Sequence, residues 1–347
     1  MRRGYLDWNA TAPLRPEARQ AMIAAMDVIG NPSSVHQEGR AALAVVSKAR
    51  RQIAEAFGAE GADIIFTSGA TEAAALAMSS QALHCAPVEH DAVMAWATPD
   101  LPVDHNGQVS VTTPATSTLQ AANSETGVLQ DVPQGLALVD ATQAFGKIPF
   151  AFNWCGAGMA LISAHKLGGP KGVGALVVKR GTEIGALIKG GGQEMGRRAG
   201  TENVIGIAGF GAAALAAMHD LNNGVWEQVK EIRKILELEL AESGKDTILI
   251  GNKVARLPNT VCFSHPGWKG ETQVMQMDLA GFAISAGSAC SSGKVRASRV
   301  LQAMGLGDLA AASAVRVSIG PDTTKDEVLR FAAAWRAQLE KFKARRK

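Results

Sequence analysis

The sequence predicts an α/β protein, and three observations carry that prediction. Short apolar runs that read as buried strands, Asp63–Thr67, Leu136–Asp140 and Met159–Ile162, are each followed by a turn of small or polar residues. The first of them passes through Ser68-Gly69-Ala70-Thr71-Glu72 into an Ala-rich helix that runs to Leu83. Helix-period segments, Pro16–Met26 and Trp226–Glu242, flank the strand-bearing part. The 347 residues leave room for two domains with substantial cores.

Bulk composition narrows the function classes. With 47% hydrophobic residues the chain reads as soluble and globular. A net charge of +3 is too mild, and too evenly spread, for a nucleic-acid or anionic-membrane partner. Cys85, Cys155, Cys262 and Cys290 are widely spaced and make no C-x-x-C, so neither a zinc site nor a disulfide framework is expected. No apolar stretch follows Met1-Arg2-Arg3, so no signal peptide is expected and a reducing cytoplasm is the expected location. Val204–Met218 is apolar but reads as too short and Gly/Ala-rich to cross a bilayer.

In chain order, Tyr5–Pro13 is an extended segment closed by a proline. Pro16 suits the first turn of a helix to Met26, and Gly30-Asn31-Pro32-Ser33-Ser34 is a turn leading to a second helix through Phe57. Gly69, Ala70 and Thr71 then form a small-residue turn at a helix N-terminus. Free N–H groups and the helix dipole make such a turn an anion site. His90 follows in a charged stretch, where a lone histidine is more often a surface residue than a functional one. Asp140 ends an apolar strand, either as a helix N-cap or as a carboxylate facing a ligand. Lys166 sits just past the next strand, flanked by Ser163 and His165, before the Gly-rich run to Gly174. A lysine held there can be desolvated, which lowers its pKa and makes the amine nucleophilic, as a Schiff base with pyridoxal phosphate (PLP) requires. The 26 residues from Asp140 to Lys166 allow a loop and one further strand, so both can face one cofactor, with Asp140 at its pyridine nitrogen.

Further on, Gly190–Asn203 mixes glycines and arginines in a loop suited to an anion. Cys262 lies within the strand Leu257–Phe263 and reads as a core residue. Cys290 stands in a small, polar loop near Lys294 and Arg296, where exposure and positive charge favour the thiolate. Arg316 is a single cation in the apolar strand Ala314–Gly320 and needs an anionic partner, either a structural carboxylate or a substrate carboxylate. Asp326–Lys347 closes the chain as an amphipathic helix.

D-A-T-Q at Asp140–Gln143 and S-x-H-K at Ser163–Lys166 resemble the cofactor signatures of class V aminotransferases, which are fold-type I PLP enzymes. The branch it is most similar to is the group I cysteine desulfurases, and the motifs occur in that family's order along nearly the whole chain. The resemblance implies an aspartate aminotransferase-like large domain with a mostly parallel seven-stranded sheet over 13–232. It also implies a smaller α+β domain from 1–12 and 233–347. It implies PLP held by Lys166, Asp140, Gln143, His90, Gly69, Ala70, Thr71, Ser163, His165 and Ser124. Ser124 stands where the family usually has an asparagine near the phenolic oxygen. His90 would stack on the ring and help move protons, and Thr201 would reach the partner subunit's PLP phosphate in a homodimer. Arg316, with Asn31 and Ser124, would bind L-cysteine. Cys290 would accept its sulfur as a persulfide for an iron–sulfur scaffold or a thiolation factor. The segments 97–118 and 130–136 look trimmed relative to the family. Selenocysteine lyase or aminotransferase chemistry on the same scaffold, or a non-enzymatic partner in a sulfur-transfer assembly, are the alternative readings.

Overall fold

The computed structural model describes residues 3–287 and 297–345. Its strands are β1 (Gly4–Tyr5), β2 (Asp63–Thr67), β3 (His84–Cys85), β4 (Thr98–Pro99), β5 (Thr118–Gln120), β6 (Leu138–Asp140), β7 (Met159–Ser163), β8 (Gly174–Val178), β9 (Ile248–Ile250), β10 (Thr260–Ser264), β11 (Phe282–Ala283), β12 (Ser285–Ala286) and β13 (Ala314–Ser318). The longer helices are α1 (Pro16–Met26), α2 (Gln37–Ala56), α3 (Ala70–Met78), α4 (Val204–Asn222), α5 (Val225–Glu242), α6 (Gly270–Leu279) and α7 (Lys325–Ala344).

The large sheet runs β2-β8-β7-β6-β5. Strands β5, β6 and β7 are parallel, and β8 lies antiparallel between β7 and β2. A parallel bridge from His84 to Ser117 carries the β3–β4 pair onto the β5 edge, so five strands and two make the seven expected. Both faces are covered, which is why these strands read as continuous apolar runs instead of alternating ones. On one face Ile64, Phe66, Val139, Ile162 and Val177 meet Val46, Ala49 and Ile53 of α2 and Ile207, Phe210 and Ala213 of α4. On the other, Ile65, Leu138, Met159, Leu161 and Leu176 meet Ala73, Leu76 and Ala77 of α3.

Helix α4 runs four residues beyond the expected Met218 and by length and apolarity alone would suit a membrane. Half of it is buried inside the protein instead. A Cβ at Gly209 would meet Met22 of α1 at 2.7 Å, and one at Gly211 would meet Ala49 of α2 at 2.7 Å. Its glycines therefore serve close helix–helix approach.

A second core lies on the antiparallel sheet β12-β13-β10-β9. The buried stripe Val328, Phe331, Trp335 and Leu339 of α7 packs there with Trp226 and Leu236 of α5 and Met277 of α6. A capping box, Thr324 with Glu327, fixes the start of α7. The buried Trp335 indole N–H donates to Gln273 Oε1 at 2.9 Å. The N-terminus joins this unit: β1 pairs in parallel with β11, and Leu6 is fully buried in its core. The chain then crosses to the large sheet, where Ala12 N–H donates to the His165 carbonyl at 2.8 Å.

Helix α2 ends in Gly58, whose φ of +56° is left-handed and whose added Cβ would lie 2.6 Å from that of Ala151. Gly58→Ala therefore meets backbone strain and a clash together. Urea unfolding should register a loss of about 2 kcal/mol.

Candidate active site

The ends of β6 and β7 and the turn before α3 open onto one cavity of about 1210 Å³. Strand β7 gives way at Ser163 to a single 3-10 turn, Ala164–Lys166, because the following glycines and proline end regular structure. Lys166 thereby points back to the N-terminal crossing, and its Nζ donates to the carbonyls of Asn9 at 2.7 Å and Ala10 at 2.9 Å. Asp140 ends the neighbouring parallel strand β6, and its Oδ1 accepts the Thr142 N–H at 2.8 Å. Gly69, Ala70 and Thr71 line the cavity at the start of α3. A Cβ at Gly174 would come within 2.8 Å of the Gly69 backbone, so a glycine in β8 is what lets the large sheet underlie that turn.

Most of the residues singled out in the sequence meet here. Ser124, Gln143, Ser163, His165, His90 and Arg316 line the cavity with Lys166 and Asp140. His90 precedes a one-turn helix, Asp91–Met94, and its Nδ1 accepts the Ala92 N–H at 3.1 Å. Burial, with the positive charge of Lys166 and Lys171, pushes the His165 imidazole down to about 4, so that ring is neutral at physiological pH. Arg316 finds its anion in the protein: NH2 donates to Asp7 Oδ1 at 2.8 Å and NH1 to the Ser124 carbonyl at 3.0 Å. Asp7 also accepts from Ser285 Oγ.

Two expected residues stand elsewhere. Asn31 is exposed and away from the cavity, its Oδ1 accepting the Ser33 N–H within its own turn. Thr201 is exposed and lines a separate cavity of about 150 Å³ with Ser68 and Gly172. Cys290 lies outside the described residues. The described chain stops at Gly287 and resumes at Ala297, and both of these line the large cavity.

The structure adds residues that the sequence reading passed over. Lys147 is buried, with Nζ 2.6 Å from Gln143 Oε1 and 3.2 Å from Asn9 Oδ1. Its place four residues after Gln143 is a helical-period signal that would have linked the two. Glu89, 1% exposed, accepts the Gln120 N–H at 2.7 Å, and burial holds its carboxyl well above the usual range. The glycine-rich loop is clamped by Arg50 bidentate on Glu194, by Arg197 on Asp63 and by Arg198 on Glu72.

The cavity fits PLP. Its wall holds four buried polar atoms without a hydrogen-bond partner among the described residues: Thr11 Oγ1, Thr142 Oγ1, Glu89 Oε2 and Arg316 Nε. Unsatisfied groups of this kind call for a polar occupant. The helix N-terminus at Ala70 suits a phosphate, and the Asp140 carboxylate suits a protonated ring nitrogen.

A family model for class-V aminotransferases matches residues 4–97 and 104–331. The chain belongs to the class-V aminotransferase family. PLP is the cofactor of this family. Among class-V relatives, a cysteine desulfurase of Cereibacter sphaeroides is 39% identical over 95% of this chain and 94% of its own. The cysteine desulfurase IscS of Dictyoglomus turgidum is 36% identical over 93% and 91%. The crystal structure of a NifS-like protein from Rickettsia africae superposes with a TM-score of 0.89 at 30% identity, over 97% of this chain and 99% of that one. A structure of SspA in complex with cysteine superposes at 0.76 with 26% identity, over 92% and 100%.

Glu125 generates a pH prediction. Burial pushes its carboxyl up to about 7, against the pull of the Ser298 hydroxyl, which donates to it at 2.6 Å, and of Arg316 and Arg299. A carboxyl with a raised pKa stabilises the fold below its unfolded value of 4.5 and loses that contribution as pH rises through about 7. Glu125→Gln should flatten the pH dependence of unfolding by about one proton in that window, read by urea titration at several pH values.

Proposed function

We propose that this cavity carries out the reaction of a PLP-dependent cysteine desulfurase, turning L-cysteine into L-alanine and passing its sulfur to Cys290. The observation that carries this reading is the convergence of Lys166, Asp140, His90 and Arg316 on one cavity in a chain of this family. Bound PLP supplies an electron sink for the substrate's Cα–H and Cβ–S bonds. The protein's residues supply binding, orientation and proton traffic. Asp140 holds the proton on the pyridine nitrogen, and the start of α3 holds the phosphate. Arg316 presents Nε to the substrate carboxylate while Asp7 fixes its other end. The Lys166 amine, seated against Asn9 and Ala10, takes the Cα proton and returns one to Cβ, with His90 alongside. The Cys290 thiolate bonds to the substrate sulfur as Cβ–S breaks, the electron pair of that bond staying with Cβ; protonation of Cβ and return of a proton to Cα, balanced by the one Cys290 gave up, complete alanine.

The working unit we propose is a homodimer in the cytoplasm that delivers its persulfide to an iron–sulfur scaffold or a thiolation factor. Exposed apolar side chains on α1, the connection to α2 and α2 itself, Ile23, Met26, Ile29, Val35 and Leu43, support the pairing of two copies. Light scattering of Ile29→Asp together with Val35→Asp should then report monomers.

Lys166→Ala should lose the visible band of the PLP-loaded enzyme. Cys290→Ser should keep that band yet form neither persulfide nor alanine above background. Alanine formation by Cys290→Ser at the wild-type rate would remove the persulfide step and leave another class-V reaction.

A further inference from the structure

Asn9 is 1% exposed and gathers hydrogen bonds from three parts of the chain. Its carbonyl accepts from Lys166 Nζ at 2.7 Å and from Gln143 Nε2 at 2.9 Å. Its Oδ1 accepts from Lys147 Nζ at 3.2 Å and from Asn259 Nδ2 at 3.0 Å. Its amide nitrogens donate to Ser318 Oγ, Thr260 Oγ1 and the Ser124 carbonyl. Behind this group lies Lys147, 2% exposed, donating to two neutral amide oxygens and with no carboxylate partner among the described residues. A buried ammonium without a counter-ion is costly. The charged groups that act on it, Lys166 and Arg316, are both cations. Burial, then those two charges, holds the Lys147 amine well below the usual lysine range.

We propose that Lys147 is a positioning residue for the cofactor site, acting through Gln143 and the Asn9 carbonyl. It rests on the PLP reading above. A carboxamide can turn over and exchange its oxygen for its nitrogen at little steric cost. Lys147 prevents this by donating to Gln143 Oε1, which leaves the Gln143 N–H groups to face Asn9 and the cavity. One Gln143 N–H binds the carbonyl that also seats Lys166, and the second is left to donate to an oxygen anion of the cofactor. Without the Lys147 donor, Gln143 can present its oxygen to the Asn9 carbonyl and to that anion, and both contacts are repulsive. No bond is made or broken by Lys147, and it does not touch the reacting atoms.

The test is the pH titration of the visible absorption of the PLP-loaded enzyme, read without substrate. Lys147→Met keeps the volume and removes the donor. Its midpoint should shift by about 0.7 pH unit, the equivalent of one ordinary hydrogen bond. Gln143→Met should shift the midpoint too, and the double variant should shift it no further than Gln143→Met alone, because the two residues act in series. Lys147→Gln restores an N–H donor and should return the midpoint towards wild type. A wild-type midpoint in Lys147→Met overturns the proposal, and so do shifts that add in the double variant, since a merely structural lysine would give them. If Lys147→Met does not fold, Lys147→Gln decides: a shift as large as that of Gln143→Met overturns the proposal. A wild-type protein with no visible band after incubation with PLP would instead fault the cofactor reading, not the role of Lys147.

Discussion

The site depends on one constraint, the burial of Asn9 where the N-terminal crossing meets both sheets. A buried amide must have every polar atom satisfied, and here the partners are the active-site lysine, the Gln143 carboxamide, and side chains of β10 and β13. The seat of Lys166 is therefore made of backbone carbonyls fixed by both cores. Rotating either sheet would break that set, so the geometry of the amine is tied to the packing of the whole chain.

Electrostatics follow from the same burial. Lys166 and Arg316 line the cavity beside His165, with Lys147 buried behind them, and the fold answers with few full charges. Arg316 has Asp7, while Lys147 has amides and His165 is neutral. An anionic cofactor and an anionic substrate carboxylate meet a surface already biased in their favour. The carboxyls point the other way: Glu89 and Glu125 are held above the usual range by burial, so the wall carries less negative charge than its composition implies.

Much of this was legible in the sequence. Asp140 and Lys166 stand out because each ends an apolar run, and strands that end in charged groups present them at one edge of a parallel sheet. The phosphate turn was legible because small residues at a helix start have one evident physical use. Asn9 and Lys147 were not, because their meaning is tertiary: nothing in W-N-A-T or F-G-K says that the Lys147 amine will donate to the Asn9 side-chain oxygen. Arg316 was half legible. Its need for an anion follows from its strand, but that Asp7 supplies one depends on the bridge from Asp7, just past the first strand, to Ser318 of β13. The length of α4 was misjudged, since the His219–Asn222 turn adds polar residues that continue the helix after its apolar run ends. Asn31 and Thr201 came from resemblance alone, and within one copy of the chain neither lies on the main cavity.

The bond from Asn9 to Ser318 spans 309 residues. A ribosome releasing the chain from its N-terminus exposes Asn9 long before Ser318 of β13 exists to bond it. The large sheet can form on the nascent chain, but the shelf on which the Lys166 amine rests is completed only when the final strand docks. Competence is thus the last property this polypeptide acquires during synthesis, and a truncated product that had already folded its large core would still lack a working amine.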